Sequence, residues 1–159
     1  MEKLKNICFK YSEIFYLIIL GIFCYLFLFL GLGDYPLIDM DETRYIDISK
    51  EMFMSKNFIT PFLNYEPFLE KPPLMFWVTN LSFALFGNMS NFAGRFGNAM
   101  LAAITIFATY FFAKTYIDKK YALISALILL SGFWFLLFSH ITMLDLGMGL
   151  FSYIVLGFQ

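Results

Sequence analysis

The residues from Ile14 to Gly33 form a run of twenty without a charged side chain. A helix needs about 20 apolar residues to cross roughly 30 Å of hydrocarbon, so this run predicts a membrane-spanning helix. The composition agrees, because 60% of the residues are hydrophobic and 14% are charged. A cleaved signal peptide is the alternative, since Lys3, Lys5 and Lys10 precede the run. The run is longer than the apolar region of such a peptide and no small-residue cleavage site follows it, which favours an uncleaved anchor.

Charge and cysteine content argue against two other classes of protein. The net charge is −1 and the eleven lysines and arginines are scattered, without the basic stretch interleaved with aromatics that a nucleic-acid groove requires. Cys8 lies in the basic N-terminus and Cys24 inside the first apolar run, so neither a disulfide between them nor a shared metal is expected. We therefore expect membrane lipids as partners, and no nucleic acid.

The chain is predicted to be all-α and to form the N-terminal portion of a polytopic membrane protein. We expect three full spans and the start of a fourth, in a longer native protein, because the sequence stops at Gln159 inside another apolar stretch. The predicted segments are span 1 at 14–33, an external loop at 34–90, span 2 at 92–113, a cytoplasmic turn at 114–120, span 3 at 121–139, an external loop at 140–145 and the start of span 4 at 146–159.

The stretch from Leu74 to Phe86 decides the topology. It is apolar for thirteen residues, which as a helix reach only about 20 Å. The positive-inside rule puts the lysine-rich N-terminus and the lysines of the 114–120 turn in the cytoplasm, which requires two spans between them. We therefore expect interfacial helices at about 73–86 and, from its amphipathic pattern, at about 42–54, in a loop that faces away from the cytoplasm.

Charged residues cluster where the first interfacial helix begins, at Asp39, Asp41, Glu42 and Arg44. Carboxylates near a helix N-terminus are stabilised by its free N–H groups, and Asp39 with Glu42 has the spacing of a capping box, so capping is the simpler interpretation. Asp41 beside Arg44 also suits acid–base chemistry. The carboxylate would take a proton from an acceptor while the cation holds an anionic phosphate.

A second charged group precedes the other interfacial helix. Glu70 and Lys71 are followed by Pro72 and Pro73, which make a rigid start to that helix. These charges either lie at the membrane surface, with a snorkelling lysine, or point into the site organised by Asp41.

Asp145 lies between two apolar runs. An ionisable residue so close to hydrocarbon is costly and usually has a partner or a function, although a helix cap at the interface is equally compatible. His140 is expected to be a structural interfacial histidine rather than a catalytic or metal-binding one.

Taken in order along the chain, these residues resemble a known family. The pattern is an N-terminal span, then Asp41-Glu42-Thr43-Arg44-Tyr45, then Glu70-Lys71-Pro72-Pro73, then Phe92-x-x-Arg95, then Leu144-Asp145. It resembles the bacterial aminoarabinose transferases of lipid A and the dolichyl-phosphate-mannose-protein mannosyltransferase-like enzymes. The resemblance implies a GT-C-like transmembrane bundle in the cytoplasmic membrane, with a cytoplasmic N-terminus and an extracytoplasmic catalytic loop.

The activity implied is that of an inverting glycosyltransferase. Such an enzyme moves a sugar from an undecaprenyl or dolichyl phosphate donor to an extracytoplasmic acceptor such as lipid A or a protein hydroxyl. The resemblance makes Asp41 the carboxylate that activates the acceptor and Asp145 a second catalytic residue, also acidic. The residues that it implies for substrate binding are Glu42, Arg44, Tyr45, Glu70 and Lys71.

No cofactor is required by this chemistry, because a guanidinium and an ammonium can stabilise the lipid phosphate as it leaves. A divalent metal remains possible, since no ligand spacing in the sequence commits to one. Two other functions stay open: a transporter or channel fragment, with Asp41 and Asp145 binding ions, and a non-catalytic assembly subunit. Family members are several times longer, so these 159 residues alone are expected to be inactive.

Overall fold

The computed structural model describes residues 2–38, 40–143, 147 and 149–150, with side chains described from Ser12 onward. Its helices are α1 (Glu2–Cys24), α2 (Met40–Ser55), α3 (Leu74–Phe86), α4 (Asn91–Tyr116), α5 (Lys119–Ser131) and α6 (Phe133–His140). A π-helical turn, Tyr25–Phe29, prolongs α1, and a short antiparallel hairpin pairs β1 (Phe62–Leu63) with β2 (Glu66–Pro67). The described part of the chain is mostly helical, as predicted. Most of the predicted fourth span, 146–159, lies outside the described residues.

Two described helices are long and apolar enough to cross a membrane, Ser12–Phe29 and Asn91–Tyr116, and a third counts if α5 and α6 together form one span. The sequence predicted a span at 121–139. In the structure this stretch bends by 65° at Gly132, whose backbone is extended, with φ −64° and ψ 119°. Glycine is one of the poorest helix formers, so a stretch can be apolar enough to span a membrane and still break there.

The helix of the first candidate span, Ser12–Phe29, stops a few residues before Gly33, where the predicted span ends. Gly31 has φ +74°, a left-handed conformation that glycine adopts without a Cβ clash, and the chain turns there. After the turn it passes so close to α4 that a Cβ on Gly33 would lie 2.8 Å from Phe92 Cβ. The end of the first span is thereby held against the beginning of α4.

Helices α1 and α4 run antiparallel. At one end, the Glu13 carboxylate pairs with Lys114, near the end of α4, and with Lys119 at 3.2 Å, at the start of α5. At the other end, Arg95 near the start of α4 donates a hydrogen bond to the Leu32 carbonyl, just beyond the first span. Between these ends the core is apolar and is built from α1, α4 and α5, with buried side chains that include Leu20, Leu28, Ala99, Ile106, Tyr110 and Ala126.

Helices α2 and α3 pack beside the first half of α4. Tyr45, Ile48 and Met52 of α2 form a buried cluster with Phe76 of α3, and Ile46 packs with Phe83 and Ala93 to join all three helices. The segment between α2 and α3 is hydrogen-bonded to both helices. The Glu51 carboxylate accepts the Asn64 and Tyr65 N–H groups at 2.8 and 3.3 Å, and the Trp77 indole donates to the Phe58 carbonyl at 2.6 Å.

The contact between α3 and α4 depends on Gly97. A Cβ there would lie 2.7 Å from Val78 Cγ1 and 3.1 Å from the Val78 carbonyl oxygen, which cannot move without shifting α3. We expect Gly97→Ala to lower the free energy of unfolding by about 1–3 kcal/mol, the usual result of overpacking. The measurement is the thermal unfolding midpoint in detergent.

Gly21 of α1 is the matched control, because a Cβ built there meets nothing within 4 Å. Gly21→Ala should be neutral or stabilising by up to about 1 kcal/mol, since alanine is the better helix former. Equal destabilisation by the two substitutions would contradict the close α3–α4 contact.

Candidate functional site

The first turn of α2 presents Asp41 and Arg44 at the surface. Asp41 Oδ1 lies 3.3 Å from Arg44 Nη1, and the two side chains are 48% and 43% exposed. A carboxylate and a guanidinium are therefore held together and stay open to a ligand. The sequence predicts for this pair a proton acceptor beside a cation for an anionic group, and these roles stay a prediction.

Glu42 points the opposite way, into the protein, although it directly follows Asp41. Its side chain and that of Arg95 are both fully buried and form a two-pronged ion pair, with Nε–Oε1 at 2.7 Å and Nη2–Oε2 at 3.0 Å. The carboxylate also accepts the Ile38 N–H at 3.2 Å and the Thr142 N–H at 3.3 Å. Both oxygens are thus occupied by protein donors.

Arg95 uses all five of its N–H donors. Besides the two bonds to Glu42, it donates to the carbonyl oxygens of Leu32, Tyr35 and Pro36 at 3.1, 2.9 and 2.9 Å. One buried side chain of α4 thereby holds the turn that follows the first span and the first turn of α2. The position of Asp41 rests on this arrangement, because Asp41 is the neighbour of Glu42 in α2.

Tyr35 completes the surroundings of Arg95. Its ring lies 3.9 Å from the guanidinium carbon, a cation–π contact, and its hydroxyl donates to the His140 carbonyl at 3.2 Å. Burial is the main cause that raises the pKa of the Tyr35 phenol, although the Arg95 charge acts in the opposite direction. The hydroxyl therefore remains a donor at neutral pH.

The end of α6 and the residues after it are fastened to the same region. The Asn98 amide donates to the Phe138 and Ile141 carbonyls at 2.6 Å each. The Thr142 hydroxyl donates to the Gly94 carbonyl at 3.2 Å, and its backbone N–H reaches Glu42 as described. The segment that leads to Asp145 is thus docked on α4 beside the start of α2.

The other predicted substrate-binding residues fall into two groups. Glu70 and Lys71 are exposed on the bend that leads into α3. Tyr45 is buried at 7% exposure and its ring packs 6.1 Å from that of Phe76. The structure therefore brings Asp41 and Arg44 together at the surface, leaves Glu70 and Lys71 open on a neighbouring segment, and turns Tyr45 and Glu42 inward.

Asp145, predicted to be catalytic, and Asp39, predicted to cap α2, lie outside the described residues. His140 Nδ1 is 2.9 Å from the Leu136 carbonyl, one helical turn earlier, which fits the structural role expected of it. Within the part of the chain that the structure describes, no three His, Cys, Asp or Glu side chains are grouped so that they could hold a metal ion.

Arg95 is the buried residue of this region whose contacts the sequence did not predict. It stands in the Phe92-x-x-Arg95 pattern, which by itself assigns it no role. A signal was present, because the predicted second span at 92–113 included this arginine. A charge inside an apolar span needs a partner, and the acidic cluster of the first external loop was the available source of one.

Comparison with known proteins gives one family match. The family described as dolichyl-phosphate-mannose-protein mannosyltransferase matches residues 70–158, more than half of the chain. That range contains Lys71, Arg95 and Asp145, but begins after Asp41.

Curated relatives extend the similarity toward the N-terminus. An undecaprenyl phosphate-alpha-4-amino-4-deoxy-L-arabinose arabinosyl transferase 2 from Proteus mirabilis is 36% identical over 117 residues, 73% of this chain and 21% of the relative. A similarly named transferase from Wigglesworthia glossinidia brevipalpis is 33% identical over 123 residues, 77% of this chain and 22% of the relative. The chain thus spans about a fifth of the length of these relatives.

Solved structures share the fold. ArnT from Cupriavidus metallidurans bound to undecaprenyl phosphate superimposes with a TM-score of 0.83 at 27% identity, covering 89% of this chain and 26% of ArnT. The apo structure of the same protein gives 0.84 at 26% identity, covering 92% and 27%. The arrangement of helices described above is therefore that of one part of a larger membrane protein.

Proposed function

This chain belongs to the dolichyl-phosphate-mannose-protein mannosyltransferase family, and from that premise we propose that it carries the catalytic loop of a membrane glycosyltransferase. The enzyme moves a sugar, with inversion, from a polyprenyl phosphate donor to an extracytoplasmic acceptor such as lipid A or a protein hydroxyl. The observation that carries this proposal is the exposed Asp41–Arg44 pair at the start of α2. The likeness to a solved structure bound to undecaprenyl phosphate supports the choice of donor.

In the proposed reaction, Asp41 activates the acceptor. Its carboxylate accepts the proton of an acceptor hydroxyl, or orients an acceptor phosphate, as the acceptor oxygen attacks the anomeric carbon from the face opposite the lipid phosphate. The bond between that carbon and the phosphate oxygen breaks as the new bond forms, which inverts the configuration. Arg44 and Lys71 stabilise the charge that develops on the departing lipid phosphate. Glu70 is proposed to line the cavity that holds this phosphate.

The proposed topology keeps this loop outside the cytoplasm. The N-terminal end of the first span and the 114–120 turn lie on the cytoplasmic side, and α2 and α3 lie along the outer interface. Two observations support this. The ion pairs of Glu13 with Lys114 and Lys119 bring the two lysine-rich segments to one end of the molecule, and α3 has only thirteen residues, too few for a comfortable crossing.

Asp145 is proposed as the second acidic residue of the site. Thr142, three residues before it, is bonded to Glu42. On its other side, a Cβ built on Gly147 would lie 2.6 Å from Met75 Sδ at the start of α3. The described residues on either side of Asp145 thus contact Glu42 and the start of α3, which supports its assignment to the same site.

The experiment that tests this function is sugar transfer by the purified full-length protein containing this sequence, reconstituted with undecaprenyl phosphate-linked sugars. We expect Lys71→Met to raise the KM for the donor about tenfold or more, because removing a cation from a phosphate contact loses a charge-assisted hydrogen bond of about 1.5–3 kcal/mol.

Lys56, exposed at the opposite end of the loop after α2, is the control. Lys56→Met should leave the donor KM unchanged. The proposed function would be contradicted if the folded wild-type protein transferred no sugar from any polyprenyl phosphate donor. Equal effects of the two lysine substitutions would remove Lys71 from the donor site.

A further inference from the structure

We propose that Glu42 is a positioning residue, which Arg95 holds so that its carboxylate docks the backbone of Thr142 and sets the segment leading to Asp145 against the turn that carries Asp41. This inference rests on the proposed function of Asp41 and Asp145. It assigns Glu42 a role distinct from the substrate contact predicted for it, since the side chain is fully buried and both carboxylate oxygens are taken by protein donors.

The geometry at Glu42 joins segments that are far apart in sequence. Arg95 is 53 residues away and Thr142 is 100 residues away, yet both bond to the same carboxylate oxygen, Oε1, at 2.7 and 3.3 Å. Asp41 shares the backbone of Glu42, so a shift of the carboxylate moves Asp41 with it. The distance between the start of α2 and residues 141–143 therefore depends on one buried side chain.

The Arg95 guanidinium fixes the Glu42 side chain in one position. All five Arg95 donors are engaged, and three of them bond carbonyl groups of the turn at 32–36. A lysine could not reproduce this planar fork. Because the ion pair is enclosed, any movement of Glu42 would leave a buried charge without its partner, which opposes such movement strongly. The Thr142 N–H thus meets a carboxylate whose position is fixed.

Thr142 offers a way to break this contact by substitution. The Met143 N–H donates to the Ile141 carbonyl at 2.8 Å, so Thr142 is the central residue of a γ-turn. Its φ is not among the positive values, which identifies the inverse γ-turn, with φ near about −75°. Proline adopts a φ of about −65° and lacks an N–H, so it suits the backbone of this turn and removes the donor to Glu42. Its Cδ takes the place of the hydrogen that faces Glu42 Oε1, which pushes the two groups apart, and the Thr142 hydroxyl is lost as well.

The decisive comparison is Thr142→Pro with Thr142→Val in the full-length enzyme. Both lack the hydroxyl that bonds the Gly94 carbonyl, but only the proline variant also lacks the backbone N–H. We expect the kcat of Thr142→Pro to be tenfold to about a hundredfold below that of Thr142→Val, the scale of effect known for small misplacements of reacting groups. The donor KM should be the same in both, because Arg44 and Lys71 are untouched.

A second pair of variants covers the case in which the proline variant does not fold. Glu42→Gln keeps the volume but turns an amide N–H₂ toward groups that are themselves donors, so kcat should fall by a similar factor. Glu51→Gln is the control, since Glu51 also caps two backbone N–H groups of the loop, at the far end of the same helix. It should leave kcat near that of the wild type.

Hydrogen exchange provides a readout independent of activity. The amides of 138–141 and 143 should exchange faster in Thr142→Pro than in Thr142→Val. Equal kcat values in the two Thr142 variants, or in Glu42→Gln and Glu51→Gln, would overturn the proposal. A fall in kcat accompanied by a changed donor KM would overturn it as well. An Asp41→Asn variant with full activity would instead contradict the proposed function on which this inference rests.

Discussion

Substitution of Asp41 by asparagine should abolish most sugar transfer by the full-length enzyme while leaving the protein folded. The change removes the proton acceptor and preserves the shape of the side chain, so kcat should fall by about 10²–10⁴, the usual contribution of a positioned acid–base group. The Asp41 side chain is half exposed, and the Arg44 pair at 3.3 Å lies at the surface. Such surface pairs contribute little to folding, so the unfolding midpoint should barely change.

Asp47 is a closely matched control for this experiment. It lies in the same helix, is 48% exposed like Asp41, and pairs with a cation three residues later, Lys50, at 3.1 Å. Asp47→Asn removes the same charge and the same kind of ion pair from an equally exposed position, six residues further along α2. Activity should stay near that of the wild type. A similar fall in both variants would show that the net charge of the loop matters rather than Asp41, and wild-type turnover by Asp41→Asn would exclude its catalytic role.

Local sequence patterns were sufficient to predict the membrane class and the family. An uncharged run of twenty residues predicts a span whatever surrounds it, and the first candidate span, Ser12–Phe29, overlaps that run. The order of Asp-Glu-x-Arg, Glu-Lys-Pro-Pro and Leu-Asp patterns predicted the family, which the match over residues 70–158 confirms. Both features are properties of short segments, so no knowledge of packing was required.

Short segments could not predict that Asp41 is exposed while Glu42 is buried. Neighbouring helical residues point about 100° apart, so the two carboxylates face different directions. Which one faces inward depends on Arg95, whose guanidinium approaches from another helix, 53 residues later. The sequence grouped both carboxylates in one binding site, whereas the contacts separate them into an exposed residue and a buried one.

The bend at Gly132 was missed for a related reason. Hydropathy reports whether a stretch can lie in a membrane and does not report the backbone conformation of a single glycine. The carbonyls of Phe138 and Ile141 are held by the Asn98 amide on α4. This contact between segments 40 residues apart fixes the end of α6, and no local periodicity encodes it.

Loss of Arg95 should destabilise the protein more than any other single substitution proposed for it. Arg95→Met leaves the Glu42 carboxylate fully buried without its cation, a situation that costs about 3–5 kcal/mol in proteins. Three backbone carbonyls, those of Leu32, Tyr35 and Pro36, also lose their donors. We expect a large drop in the thermal unfolding midpoint in detergent and a loss of transfer activity that follows from unfolding.

The double variant Glu42→Leu with Arg95→Met separates the effect of the unpaired Glu42 charge from that of the carbonyls left without donors. It removes the stranded charge, so it should be more stable than Arg95→Met alone, but it should recover only part of the loss because the three carbonyls stay without donors. Lys114→Met is the control for removing one cation from an ion pair. Glu13 is partly exposed and keeps Lys119 at 3.2 Å, so the change there should be within about 1 kcal/mol. If Arg95→Met were as mild as Lys114→Met, the buried pair would not be what holds the loop with Asp41 in place.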